Sequence, residues 1–360
     1  MPSFAIVLPA YTLLLLLTIA ALAAIFNGIR NACDGIVSQH FLLTAAARSL
    51  SLAQVARMSD EEARDTFKRI RWSETAGEPV CPECGGVDVY AYACRPLWRC
   101  KGCHRQFSLT SGTLFHSRKL PVRSYLMAVA IFVNGAKGHA ALHLSRDLNV
   151  QYKTAFVLSH KLREAMGSQV HNPDQPELSG TVEVDGMYAG GNVKPANKKT
   201  DRVDRRLAGE QTGKRQVVVV AREILGRTLP FILPRESDAV PLIRQHVASG
   251  TIVHADESNA WERLHASYDM RRVNHSTEYV SEDGASVNQA ESFFSRLRRA
   301  EYGVHHRISG QYLYQYANEM AWREDNRRIP NGMQFRFVTG AALRHAKSEV
   351  WRGYWQRATA

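Results

Sequence analysis

The spacing of apolar positions changes character several times along the 360-residue chain. Phe4 to Phe26 is an apolar run without a charge, and it includes Leu13 to Leu17. Ser51 to Trp72 has the period of an amphipathic helix, and Ser59 followed by Glu62 is a capping-box pattern that marks a helix start. Residues 121–168 continue in helical period and are broken by a turn-like Leu148-Asn149-Val150. Pro173 to Gly180 is a polar linker. The period then falls to two. Thr181 to Asp185, Gln216 to Ala221, Thr228 to Leu233 and Thr251 to Ala255 read as strands, rich in β-branched residues. Between the first two, Asn192 to Arg215 is dense in Lys and Arg and too poor in apolar residues to pack, so a basic loop is expected there. Ser286 to Arg299 and Gln311 to Arg323 return to helical period. Strands followed by helices predict an α/β fold with a mixed sheet. The expected division is a hydrophobic extension (1–48), a helical lead-in (49–78), a cysteine module (79–117), a helical region (118–172), a sheet-bearing region (178–330) and a tail (331–360).

Charge narrows the class of partner. Lys and Arg number 46 against 34 Asp and Glu, a formal excess of +12. That balance favours a polyanion, and nucleic acid above a small-molecule substrate. The N-terminal run is long enough to span a bilayer, for which about 20 apolar residues suffice. No basic residue precedes it, so it makes a poor signal peptide. Two readings stay open: a membrane tether over residues 4–26, or a stretch upstream of the true start, with the working protein beginning near Leu50 or Met58. The second is favoured and implies a cytoplasmic, nucleoid-associated protein.

Four of the six cysteines form two pairs, Cys81-Pro82-Glu83-Cys84 and Cys100-Lys101-Gly102-Cys103, separated by 15 residues. This is the spacing of a four-thiolate Zn2+ site, structural because no coordination position is left open. Trp98 and Phe107 are expected to form its small core, and Arg95, Arg99, Lys101 and Arg105 a basic coat. Further on, Ala140, Ala141, Leu144 and Leu148 recur at helical spacing, and a second helix follows the turn. The pair fits a helix-turn-helix, with Gln151, Lys153, Thr154, His160 and Lys161 as its outward, DNA-facing residues. An ordinary helical hairpin is the alternative.

Asp185 ends one predicted strand and Asp256 another; Glu291 lies on a predicted helix with Asn288, Ser295 and Arg298 along the same polar face. Hard divalent cations prefer carboxylate oxygens, so three acids from two strands and a helix suit two Mg2+ (or Mn2+) ions. Glu183, on the same strand face as Asp185, is a competing candidate. Arg298 is placed to hold a substrate phosphate.

These segments together resemble a known family. CPECGG…WRCKGCHRQFSLTSGTLFHSRKLP resembles the zinc-ribbon opening of the ISXO-like insertion-sequence transposases, and LSRDLNVQYKTAFVLSHKLREAM their helix-turn-helix. VEVDGMYAGG, VHADES, NQAESFFSRLRRAEYGVHHRIS and YANEMAWREDNRR resemble their DDE domain. The resemblance spans roughly residues 50 to 330. It implies a ribonuclease-H-like catalytic fold, binding of terminal inverted repeats in double-stranded DNA, and metal-dependent strand transfer by Asp185, Asp256 and Glu291. It further implies Asn288 near the metal site, Arg298 where the family often has lysine, and His305 or His306 in a histidine-containing stretch. A homodimer or larger synaptic complex is expected, since two element ends must be held together. The competing functions are a DNA-binding regulator that has lost catalysis and a membrane-tethered nuclease.

Overall fold

The computed structural model describes residues 40–189, 196–203, 215–274, 281 and 284–357. The apolar run at 4–26 and most of the basic stretch 192–215 lie outside them. The chain divides into two compact units, Met1–Arg48 and Ser49–Ala360. In the first, the described residues form a short 3-10 turn at Phe41–Leu43 whose N-terminus is capped by the His40 side chain. Among the described residues no helix is long and apolar enough to cross a membrane.

The second unit opens with two helices where the sequence suggested one amphipathic stretch. They are α1 (Leu52–Arg57) and α2 (Asp60–Arg71), each started by a reciprocal capping box, Ser51 with Gln54 and Ser59 with Glu62. The boxes satisfy backbone donors that would otherwise be orphaned, and the second one ends the first helix at Met58. A three-stranded antiparallel ribbon follows: β1 (Val89–Ala91), β2 (Leu97–Cys100) and β3 (Gln106–Ser108). Trp98 and Phe107 are cross-strand partners and stack at 5.9 Å, while Trp72 meets Trp98 edge-on at 5.5 Å, which gives the ribbon its small core. Arg71 ties α2 to it by donating to the carbonyls of Ser108, Leu109 and Ser111.

Next come α3 (Val122–Asn134), α4 (Ala141–Asp147) and α5 (Tyr152–Val170). The turn between α4 and α5 closes through Asn149, which takes a left-handed φ of +51°. The mixed sheet has five strands: β4 (Thr181–Ala189), β5 (Gln216–Glu223), β6 (Thr228–Leu233), β7 (Ile252–Asp256) and β8 (Asp269–Val273). Their spatial order is β6-β5-β4-β7-β8. The first three pair antiparallel, whereas β7 and β8 run parallel to β4. Between β6 and β7 lies α6 (Val240–His246), with Pro241 in its first turn.

Three helices complete the unit: α7 (Asn288–Ala300), α8 (Leu313–Asp325) and α9 (Asn331–Arg344). The sheet is covered by α7 on β4 and β5 and by α8 on β6, while α5 packs on α4, α8 and α9. Residues 331–360 therefore begin with a core helix, where a tail was expected. Val338, Thr339 and Ala342 of α9 are fully buried, and α9 packs on α2, α3 and α5.

A buried ion cluster locks α5 to α8. Glu319 is fully enclosed between Arg163, whose Nε donates at 2.6 Å, and Arg323 at 2.9 Å. Burial opposes its ionisation, but the two guanidinium groups hold its carboxyl down to about 2. Neutralising it strands two buried cations. Glu319→Gln is expected to cost about 3–5 kcal/mol in denaturant unfolding; a loss under about 1 kcal/mol would show the cluster to be solvated.

Candidate metal and DNA site

The four ribbon cysteines converge, with their sulfur atoms all within 4.8 Å of one another. Cys81 and Cys103 are 3.6 Å apart, as are Cys84 and Cys100. A Zn–S bond of about 2.3 Å requires tetrahedron edges of about 3.8 Å, so the sulfurs already outline a zinc site. The local sequence explains the geometry. The residue after each pair turns left-handed, Gly85 at φ +70° and His104 at +59°. The second turn is thus made by a histidine, with no glycine at that position. A Cβ at Gly86 would sit 3.4 Å from the sulfurs of both Cys84 and Cys100, so the backbone lies close against the site. The Cys103 backbone N–H holds the Cys100 thiol down to about 7, while burial and the neighbouring sulfurs push Cys103 up to about 12, so the crowded thiols share their protons unevenly. Of the expected basic coat, Lys101 pairs with Asp88 at 2.8 Å and Arg105 with Glu83 at 3.4 Å.

The second cluster is built on the central strands. Val184 of β4 is the register partner of Ala255 of β7, so Asp185 and Asp256 each stand one residue further along adjacent parallel strands. Residues so placed share one face of the sheet, strands being about 4.8 Å apart. Glu291 stands exposed in the first turn of α7, and among the described residues no three carboxylates gather as tightly as the cysteine sulfurs do. A fourth acid, Glu236, enters from a 3-10 turn after β6, and the sequence reading missed it. Its side chain lies directly over Gly186, where a Cβ would come within 2.7 Å of its Cγ. Ser258 Oγ donates to Glu236 at 3.2 Å. Asp256 is fixed by the buried Trp261, whose Nε1 donates to Oδ1 at 2.8 Å, and by the Ser258 backbone N–H at 3.2 Å. The Asp-x-Ser sequence is the local signal for that turn; nothing local announced Glu236.

The electrostatics follow from the crowding. Burial, joined by the charges of Asp256, Glu236 and Glu291 and opposed by one hydrogen bond from the Gly186 N–H at 2.7 Å, pushes the Asp185 carboxyl up to about 7. Glu236 is raised by burial and by Asp256. Such a set is relieved by a divalent cation. The sign for stability follows. Asp185 holds its proton to about pH 7 when folded and to its ordinary 3.8 when unfolded, so the folded chain carries the extra proton between those values. Without metal, stability therefore falls as pH rises through that window and stays lower above it. Metal-free Asp185→Asn is expected to melt above the wild type at about pH 8, by about 2–4 °C for each kcal/mol relieved, and level with it at about pH 4. A lower melting point at the higher pH would contradict the repulsion.

Glu183, the competing candidate, has another task. It is buried on β4 and accepts from the Ala290 backbone N–H at 2.8 Å, capping the helix that carries Glu291. Burial raises its pKa, opposed by those backbone donors. Asn288 is exposed at the first position of α7, and Arg298 is exposed two turns beyond Glu291. His305 is held neutral, down to about 4, by burial and Arg163, and packs on Tyr316 at 4.6 Å; His306 is exposed at φ +58°.

Of the residues expected to face DNA, Gln151, Lys153 and Thr154 are exposed at the start of α5. His160 is not outward. It is fully buried, stacked on Trp351 at 4.1 Å and close to Phe156 and Tyr312, and burial drives its pKa down to about 2. A neutral, enclosed imidazole cannot meet a phosphate. Lys161 is half-buried and donates to the Leu114 carbonyl at 2.7 Å, so it joins α5 to the segment after the ribbon. Both were misplaced because α5 is covered on more than one side, by α8 and by the C-terminal aromatics.

The chain matches models of known transposase domains over two of its segments. Residues 58–106 match a transposase zinc-ribbon domain and residues 177–325 an ISXO2-like transposase domain. The chain is similar to a protein of Halobacterium salinarum described as an uncharacterized protein in transposable element ISH50. The two are 24% identical over 299 residues, covering 79% of this chain and 98% of the relative. No solved structure gives a significant match.

Proposed function

We propose that the chain cuts and joins DNA at the ends of an insertion sequence, with Asp185, Asp256 and Glu291 as its catalytic carboxylates. The observation that carries this reading is the placement of the two aspartates on neighbouring parallel strands, with Glu291 and Glu236 close enough to raise the charge cost on Asp185. The strand order, three antiparallel strands continued by two parallel ones, supports a ribonuclease-H-like catalytic region over 178–330.

The donor set fits Mg2+ or Mn2+: oxygen ligands only, three of them half-buried and Glu291 exposed, with like charges that need a counterion. Such ions, when bound, supply charge neutralisation at the attacking and leaving oxygens of a phosphodiester. The protein's own part is to hold the ligands. Trp261 and Ser258 fix one oxygen of Asp256 and so aim the other, and Glu183 anchors the start of the Glu291 helix. Zinc held by Cys81, Cys84, Cys100 and Cys103 keeps the ribbon folded. The pair α4–α5, within 118–172, acts as the helix-turn-helix, with Gln151, Lys153 and Thr154 on its DNA side. Two copies of the chain, or more, hold the two ends together.

The test is strand transfer by purified protein on the DNA ends that flank its gene, with Mg2+ and separately with Mn2+. Joined products that require the metal support the proposal. Tight binding to those ends with no cleavage under either metal would replace it with the DNA-binding regulator.

A further inference from the structure

One turn beyond Glu291 the polar face of α7 opens into a groove of about 440 Å³, lined by Lys137, Ser295, Arg298, Arg299, Tyr302 and Gly303. Three of the six are cations, one is a hydroxyl, one is a phenol, and no acid is present. Neither Lys137, Arg298 nor Arg299 has an ion-pair partner among the described residues. Tyr302 is 72% exposed, although tyrosine usually buries most of its ring. It stands on a π-helical turn, Glu301–His305, that continues α7. Such turns are uncommon and concentrate at functional sites. A Cβ at Gly303 would meet no atom within 4 Å, so the groove beside the ring is open. Lys137 comes from the connection between α3 and α4, so the groove is shared by the helical pair and the helix that carries Glu291.

We infer that this groove receives one unpaired nucleotide of the DNA strand near the reacting end, its phosphate among Lys137, Arg298 and Arg299 and its base stacked on Tyr302. The volume suits a small ligand. A base can lie on an exposed ring only after leaving its own stack, and such stacking tolerates any sequence. From Glu291 to Arg298 and Tyr302 is about 10–17 Å along the helix axis, three to five nucleotides of a stacked strand. The inference rests on the proposed role of the acid cluster, because it makes the groove the next stop for the strand held there.

The test compares binding, without added divalent metal, to a blunt duplex and to the same duplex with a single-stranded tail of either polarity. Wild-type protein is expected to prefer one tailed form. Tyr302→Ala should lose that preference, roughly ten-fold in affinity, with blunt binding unchanged, whereas Tyr302→Phe keeps it. Arg299→Ala should weaken binding of the tailed probe and lower its salt dependence by about one counterion, with blunt binding unchanged. No preference in the wild type, or full preference in Tyr302→Ala, would overturn the inference. Equal losses on both probes would overturn it too. Strand transfer by Asp256→Asn, run alongside, separates the two readings. If that variant stays active the catalytic assignment fails whatever Tyr302 does; if it is dead and Tyr302→Ala binds like wild type, only the groove is wrong.

Discussion

Asp256→Asn is expected to abolish strand cleavage and joining, by roughly 10²–10³-fold or more, while DNA binding stays within about two-fold. The substitution separates chemistry from folding. The asparagine carbonyl can still accept from the Trp261 indole and the Ser258 N–H, the two bonds that fix Asp256 in place. What it removes is the charge, and with it one anionic ligand of the cluster. The measurement is strand transfer beside a binding titration and a melting curve on the same preparation. Joined product at the wild-type rate would remove Asp256 from the chemistry.

The second large effect is expected at the ribbon. Chelation of zinc, or Cys81→Ser, should unfold residues around the two cysteine pairs, since structural zinc sites contribute about 10–16 kcal/mol of apparent binding free energy at neutral pH. The ribbon has little else to hold it. Its strands are three or four residues long and its own core is Trp98 against Phe107. Zinc content, Trp98 fluorescence and affinity for the element ends should therefore fall together. Unchanged affinity after verified zinc loss would mean that the ribbon does not read DNA. The Arg71 clamp on Ser108, Leu109 and Ser111 adds a second effect: loosening the ribbon should also free the end of α2.

The parts of the fold that could be read from sequence were those with strong local signals. The valine run at 217–220 and the alternation before Asp185 announce central strands, and both are buried in the middle of the sheet. The cysteine spacing announced its own cluster. β8 escaped because Asp269-Met270-Arg271-Arg272-Val273 is a charged edge strand whose pairing with β7 supplies what its residues do not. α9 looked like a tail because its burial comes from α2, α3 and α5, which are remote in sequence. The same lesson holds at the site. Asp256 was expected at a strand end and Glu291 on a helix face, and both lie there; Asp185 was expected to end its strand too, but β4 runs on to Ala189 because its pairing with β5 continues that far. Glu236 could not be named, because a glycine one residue after Asp185 makes room for a side chain about 50 positions away. His160 had the right spacing for an outward residue and the wrong surroundings.

The most direct test is to soak crystals of the full chain in Mn2+ and measure anomalous scattering. Manganese is expected on oxygens of Asp185 and Asp256, at about the 2.0–2.1 Å typical of small hard cations, with Glu291 or Glu236 completing the ligand set. The same peak should vanish in Asp185→Asn. Crystals that take up manganese elsewhere and leave the carboxylates bare would contradict that expectation.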